Sequence, residues 1–132
     1  MDYKIRIISY LYYFSLAGLF FIYLFPGSIF GYFLYGDLKQ QPHIMSNPFG
    51  ISINHFIAFF YLSLVGLISC IKDKKFKFMI FFLITISIVL EISHIFIPIR
   101  SFQFMDLIGN LLGTFAAIVI IFVLKRIKNG KV

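Results

Sequence analysis

Four long apolar runs leave this chain few folds to choose from. They occupy residues 7–25, 55–71, 78–98 and 104–124, each 17 to 21 residues long. A helix rises about 1.5 Å per residue, so roughly 20 residues cross a hydrocarbon core of about 30 Å. Each run is long enough to span once, the second only just. Strands of a membrane barrel would show segments of roughly ten residues alternating in polarity, whereas these runs are apolar on every side. With 61% hydrophobic and 13% charged residues, the composition is that of a chain whose solvent is lipid. The expected fold class is therefore all-α: a polytopic membrane protein of four transmembrane helices, forming one domain over residues 1–132. The first run ends in Phe25-Pro26-Gly27 without a small-x-small pattern, so it reads as a span rather than a cleaved leader.

The net charge of +7 is not spread along the chain. Lys4 and Arg6, then Lys72, Lys74, Lys75 and Lys77, then Lys125, Arg126, Lys128 and Lys131 all flank apolar runs on one side of a four-pass topology. Only Lys39 and Arg100 fall on the other side. The positive-inside rule then places both termini in the cytoplasm. This clustering is an orientation signal with lipid contact, and no nucleic-acid partner is expected. Cys70 is the only cysteine, which excludes an internal disulfide and any cysteine-built metal or redox motif.

The outer segment 26–54 is punctuated by Gly27, Gly31, Gly36, Pro42, Pro48 and Gly50. Its first part, SIFGYFLYG, is aromatic enough to lie in the membrane interface, and its second part, DLKQQPHIMSNP, is polar. It reads either as a flap over the outer mouth or as a plain connecting loop.

Ionisable groups are costly in apolar surroundings and persist there with a partner or a task. Residues 91–113, EISHIFIPIRSFQFMDLIGNLLG, hold most of them. With both termini inside, the turn at 98–103 faces outward, and an antiparallel hairpin sets Glu91 level with Asn110 and His94 level with Asp106 or Leu107. At about 100° per residue, Ser87, Glu91, His94 and Pro98 share one face. Asp106, Gly109, Asn110, Gly113 and Ala117 share another, and Gly109-x-x-x-Gly113 is a spacing that lets membrane helices approach closely. His55, with Ala58, Leu62, Gly66 and Ser69 along its side of the second helix, is expected at the rim of the same cavity. The first helix, whose polar groups are chiefly Ser9 and Ser15, reads as a wall.

Glu91 has two readings of equal weight: a general acid or proton relay, and a structural carboxylate bonded to Asn110. Glu91 and His94 are the candidate catalytic residues. As Glu-x-x-His they also supply a metal-ligand spacing that His55 and Asp106 would complete. That reading ranks below a neutral His94 bonded to Asp106, so no cofactor is expected. Arg100 offers a planar five-donor group to phosphate or carboxylate, or a salt bridge to Asp106. Arg100, Asp106, Asn110 and His55 make the expected substrate-binding set, with Asp106 and Asn110 chiefly orienting Arg100 and Glu91.

The order Asn54-His55-Phe56, Glu91, Pro98-x-Arg100 and Asp106-x-x-x-Asn110-x-x-Gly113 resembles the signature of the VanZ-like family of small bacterial membrane proteins, over residues 51–117. The chain departs from that family at His94, where glutamine is usual, and at Ile51-Ser52, where an Asp-Lys pair is. The resemblance implies a multi-pass protein of the bacterial cytoplasmic membrane, active on its extracytoplasmic face, tied to the cell envelope and to glycopeptide (teicoplanin) resistance. The expected function is to bind or modify an anionic or lipid-linked envelope precursor at the outer leaflet. The alternatives are an outer-leaflet phosphohydrolase or transferase using Glu91 and His94 as acid/base, and a small proton-coupled transporter. The transporter ranks last because its carboxylate belongs near the midplane.

Overall fold

Each apolar run folds as a helix because nothing in it stops one, and each helix ends where proline, glycine or charge intervenes. The computed structural model describes residues 3–42, 50–128 and 130; positions 43–49 of the outer segment and Lys131 of the last basic cluster lie outside the described residues. The elements are α1 (Tyr3–Leu24), α2 (Ile29–Tyr35), α3 (Ile53–Ser69), α4 (Phe76–Ser93) and α5 (Phe104–Lys128), and no strand occurs among the described residues. Helix α1, α4 with the turn that extends it, and α5 are long and apolar enough to cross a membrane, while α3 is a shorter apolar helix of 17 residues. Phe14, Phe21, Phe78, Phe81, Val119 and Phe122 stand exposed on the outer faces. An apolar surface of that extent fits a helical membrane protein.

The third run does not stay α-helical to Pro98. Helix α4 ends at Ser93 and passes into a 3₁₀ turn, His94–Phe96. Proline disfavours helical backbone in the residue before it, and Ile97 is extended at φ −98° and ψ 127°. The Arg100 N–H then donates to the Ile97 carbonyl at 3.2 Å, closing a turn with Pro98 second and Ile99, at φ 67°, third. That is the type II pattern, which favours glycine where this chain has a β-branched residue.

Tyr23 near the end of α1, His55 at the start of α3, Glu91 at the end of α4 and Asn110 near the start of α5 gather at one end of the bundle. At the opposite end Phe76 meets Phe122 edge-on and Lys125 Nζ lies 3.9 Å over the Phe76 ring. The most extensive helix pairing is α3 with α5. Its closeness comes from glycine: a Cβ on Gly109 would lie 2.8 Å from the Ser52 carbonyl oxygen, and one on Gly113 would overlap the Phe56 carbonyl. Ala117 is fully buried on the same stripe, and Ser63 Oγ donates to Thr114 Oγ1 at 3.3 Å between the two helices. Phe59, Leu62, Leu67, Leu83, Leu90 and Ile121 fill the core around this seam.

Between α1 and α3 the chain doubles back on itself. Ser28 Oγ accepts the Gly31 N–H at 2.9 Å and caps α2, and the Ser28 N–H donates to the Leu38 carbonyl at 2.7 Å. Gly31 lies so close to the Gln40 carbonyl that any Cβ would overlap it. The Asn54 amide donates to the Pro42 carbonyl and ties this returning segment to the start of α3. The side chains of Phe30, Tyr32, Phe33, Leu34 and Tyr35 are exposed.

Three substitutions probe this framework. Gly113→Ala should cost about 1–3 kcal/mol through overpacking against α3 and lower the Tm in detergent. Gly18→Ala, with nothing within 4 Å of the added carbon, should not lower it. Equal losses at both sites would place the close contact elsewhere. Ile99→Gly relieves about 1–2 kcal/mol of left-handed strain against roughly 0.4–1 kcal/mol of added chain entropy. A small rise in Tm is expected, and a fall would exclude the left-handed turn.

Candidate functional site

The site is built on Glu91, in the last turn of α4 and with no exposed surface. Its Oε1 accepts the Gln103 N–H at 3.1 Å and lies 3.3 Å from His94 Nδ1. Gln103 immediately precedes α5, and its carbonyl receives the N–H groups of Asp106 and Leu107 at 3.1 Å each. In a capping box, a carboxylate at the position of Asp106 would reach back to the Gln103 N–H. Glu91 takes that donor from the neighbouring helix, which leaves Asp106 free to turn toward α3. There its Oδ2 lies 3.5 Å from His55 Nδ1, while Glu91 Oε2 lies 3.9 Å from the same nitrogen. His55, Glu91 and Asp106 are all buried, and one ligand atom of each falls within 4.8 Å of the others, a grouping able to hold a metal ion. His55 Nδ1 and Glu91 Oε2 have no hydrogen-bond partner among the described residues.

Tyr23 of α1 roofs this group. Its ring stacks on His94 at 5.4 Å and 19°, lies 5.3 Å from the His55 ring and meets Phe59 edge-on at 5.6 Å. Its hydroxyl donates to Asn110 Oδ1 at 3.0 Å, and Asn110 Nδ2 donates to the Ser87 carbonyl at 3.2 Å. Arg100 closes the other side. Its Nη2 donates to the Ile22 carbonyl at 2.9 Å and its Nε to the Phe25 carbonyl at 3.3 Å. The last carbonyls of a helix lack partners within it, and this guanidinium from a distant turn satisfies them. Burial pulls the Arg100 pKa below its ordinary value, with Tyr23, Glu91 and Asp106 pushing the other way.

All the residues expected at the site lie at this end of the molecule, though several take other partners. Asn110 bonds Tyr23 and the Ser87 carbonyl rather than Glu91. Glu91 stands level with Asp106, because the 3₁₀ turn and extended residues beyond Ser93 shift the depth pairing by about one helical turn. His94 pairs with Glu91, and it is His55 that meets Asp106. Arg100 turns to α1 instead of Asp106. His55 is 8% exposed, a central member rather than a rim residue. Pro98 is exposed beyond the helix, whereas Asp106, Gly109, Asn110, Gly113 and Ala117 are all buried as their shared face requires. Helix α1 is more than a wall: Tyr23 escaped notice because one tyrosine among eight on apolar segments carries no distinguishing signal. Ser63 and Thr114 escaped for the same reason, as small polar residues inside spans.

Two cavities adjoin the group. One, of about 150 Å³, is lined by Arg100, His55, Tyr23, Asn54, Gln41 and Ser28 together with Leu19, Ile22, Ile29, Phe30, Pro42 and Ala58. The other, of about 280 Å³, is lined by Lys39, Gln41, Ser52, Asn54, Ile99, Ser101, Gln103 and Asp106. Glu91 and His94 line neither of these two. Comparison of the chain with protein-family models, curated proteins and solved structures finds no match.

Tyr23→Phe keeps the ring stacking and deletes the hydroxyl, leaving the Asn110 carbonyl oxygen buried without a donor. A loss of about 1–3 kcal/mol is expected, read as a lower Tm in detergent. An unchanged Tm would remove Tyr23 from the set of groups that hold Asn110.

Proposed function

We propose that this chain is a multi-pass membrane protein that holds the anionic headgroup of a lipid or lipid-linked envelope precursor in the cavity beneath α2. One observation carries the reading: the smaller cavity joins Arg100, His55, Asn54 and Gln41 on its polar side to Leu19, Ile22, Ile29, Phe30 and Ala58 on its apolar side. A headgroup with an attached tail needs that two-sided chemistry. Arg100 uses Nε and Nη2 on α1, and a guanidinium carries five N–H donors, so most remain for an anion. The exposed aromatic side chains of α2 suit the membrane interface, where this helix acts as a flap over the cavity.

The positive-inside rule orients the molecule with both termini in the cytoplasm and the cavity toward the extracytoplasmic leaflet. The resemblance of residues 51–117 to VanZ-like proteins supports a bacterial cytoplasmic membrane and a connection with glycopeptide (teicoplanin) resistance. Catalysis by Glu91 and His94 has less to support it, since neither lines the two cavities next to the cluster.

Lipid binding by the purified chain tests the reading. Phosphatidylglycerol should raise the Tm and bind more tightly than phosphatidylcholine. Arg100→Lys, which loses the two-pronged fork, should weaken the anionic lipid by at least about tenfold while the lipid-free protein still melts cooperatively. Equal binding of the two lipids, or equal binding by the variant, would overturn it.

A further inference from the structure

We infer that His55, Glu91 and Asp106 form a binding site for one divalent transition-metal cation, of the zinc or manganese class, drawn from three different helices. Geometry is the first argument. Bonds of about 2.0 to 2.1 Å place neighbouring tetrahedral ligand atoms roughly 3.3 Å apart. His55 Nδ1 lies 3.5 Å from Asp106 Oδ2 and 3.9 Å from Glu91 Oε2. Small rotations of the three side chains bring these atoms to ligand spacing without moving a helix.

The second argument is that two of the three inward atoms are buried without a partner among the described residues. Glu91 is wholly buried and His55 is 8% exposed, yet among the described residues Glu91 Oε2 and His55 Nδ1 lack hydrogen-bond partners. A buried carboxylate oxygen without a donor is costly; the Asp106 carboxylate has the Ser52 side chain, but Glu91 Oε2 has none among the described residues. Arg100 acts on the two carboxylates only through space, its described hydrogen bonds going to the Ile22 and Phe25 carbonyls. A dication would meet all three groups at once.

Third, the surroundings hold the candidate ligands in place. The other oxygen of Glu91 is fixed by the Gln103 N–H and His94 Nδ1, so Oε2 is aimed at His55. The His55 ring is braced by Tyr23 at 5.3 Å. Such outer partners orient ligands and tune their basicity. One imidazole nitrogen with two carboxylate oxygens suits zinc or manganese better than calcium, which takes 6–8 oxygens. His55 also lines the smaller cavity and Asp106 the larger. An ion held by three protein ligands has a further coordination position for water or a ligand, as three-ligand zinc sites do. His55 borders the lipid cavity as well as the metal site, whereas Arg100 belongs to that cavity and not to the metal site, and Asp106 to the metal site and not to that cavity, so variants at those two positions separate the readings.

The test uses the full chain in detergent, freed of any affinity tag, stripped with chelator and reloaded with Zn²⁺ or Mn²⁺. About one equivalent should remain after buffer exchange, with a Tm rise that chelator reverses. Asp106→Asn, which keeps the side-chain shape, should weaken the metal by at least about tenfold, while Arg100→Lys should retain it. Metal content no higher than in a mock-loaded control, or Asp106→Asn binding as tightly as the parent, would overturn the site. If Asp106→Asn does not fold, Co²⁺ in the parent decides: visible d–d bands of a low-symmetry nitrogen and oxygen site support it, and their absence overturns it.

Discussion

A carboxylate with no exposed surface must be accommodated from within, and Glu91 is accommodated by two neighbours at once. Its Oε1 receives the Gln103 N–H and so fastens the end of α4 to the start of α5. That one bond fixes how the hairpin closes. It also removes from Asp106 the task that a carboxylate three residues into a helix ordinarily has, which is to cap the helix it belongs to. With Gln103 already satisfied, Asp106 faces α3 and meets His55. An apolar side chain at position 91 would leave the Gln103 donor for Asp106 to recapture, and the approach to His55 would be lost with it.

The backbone contact between α3 and α5 decides how near that approach is. Gly109 sits against the Ser52 carbonyl, and a Cβ there would lie 3.3 Å from the Cβ of His55. The spacing of His55 from Asp106 is therefore set partly by the absence of a side chain one helical turn into α5. Close packing and site chemistry are not separable here. The glycines that let the helices touch are what bring an imidazole from α3 within reach of a carboxylate on α5.

How much of this was legible in the sequence follows from what each pattern encodes. The apolar helices were readable because a continuous apolar run of about 20 residues has few other uses. The buried stripe from Asp106 to Ala117 was readable because α5 is unbroken, so helical phase carries from one turn to the next. The partners were not readable. Pairing by depth assumes that both helices run evenly into a tight turn, but α4 gives way to a 3₁₀ turn at His94 and the chain then runs through a proline turn before α5 begins. That detour, set by Pro98, moved Glu91 from the level of Asn110 to that of Asp106. Tyr23 lay outside any polar pattern, since its ring suits lipid, interface and core alike and its hydroxyl matters only once Asn110 is beside it.

Arg100 shows why the outer turn and the first helix cannot be understood separately. The sequence presents it as a cation near Asp106, yet it bonds the carbonyls at the end of α1, which lack partners within their own helix. A cation is also favoured at that end of a helix dipole. The bond holds α1, with Tyr23 one residue beyond Ile22, against the hairpin that carries Glu91 and His94. Since Ser28 and α2 follow directly from the same helix end, the guanidinium that borders the smaller cavity also fixes the origin of the segment that covers it. An anion taking the guanidinium donors left free would rest on the same side chain that seats α1, so binding in that cavity and the seating of α1 and α2 are physically coupled through Arg100.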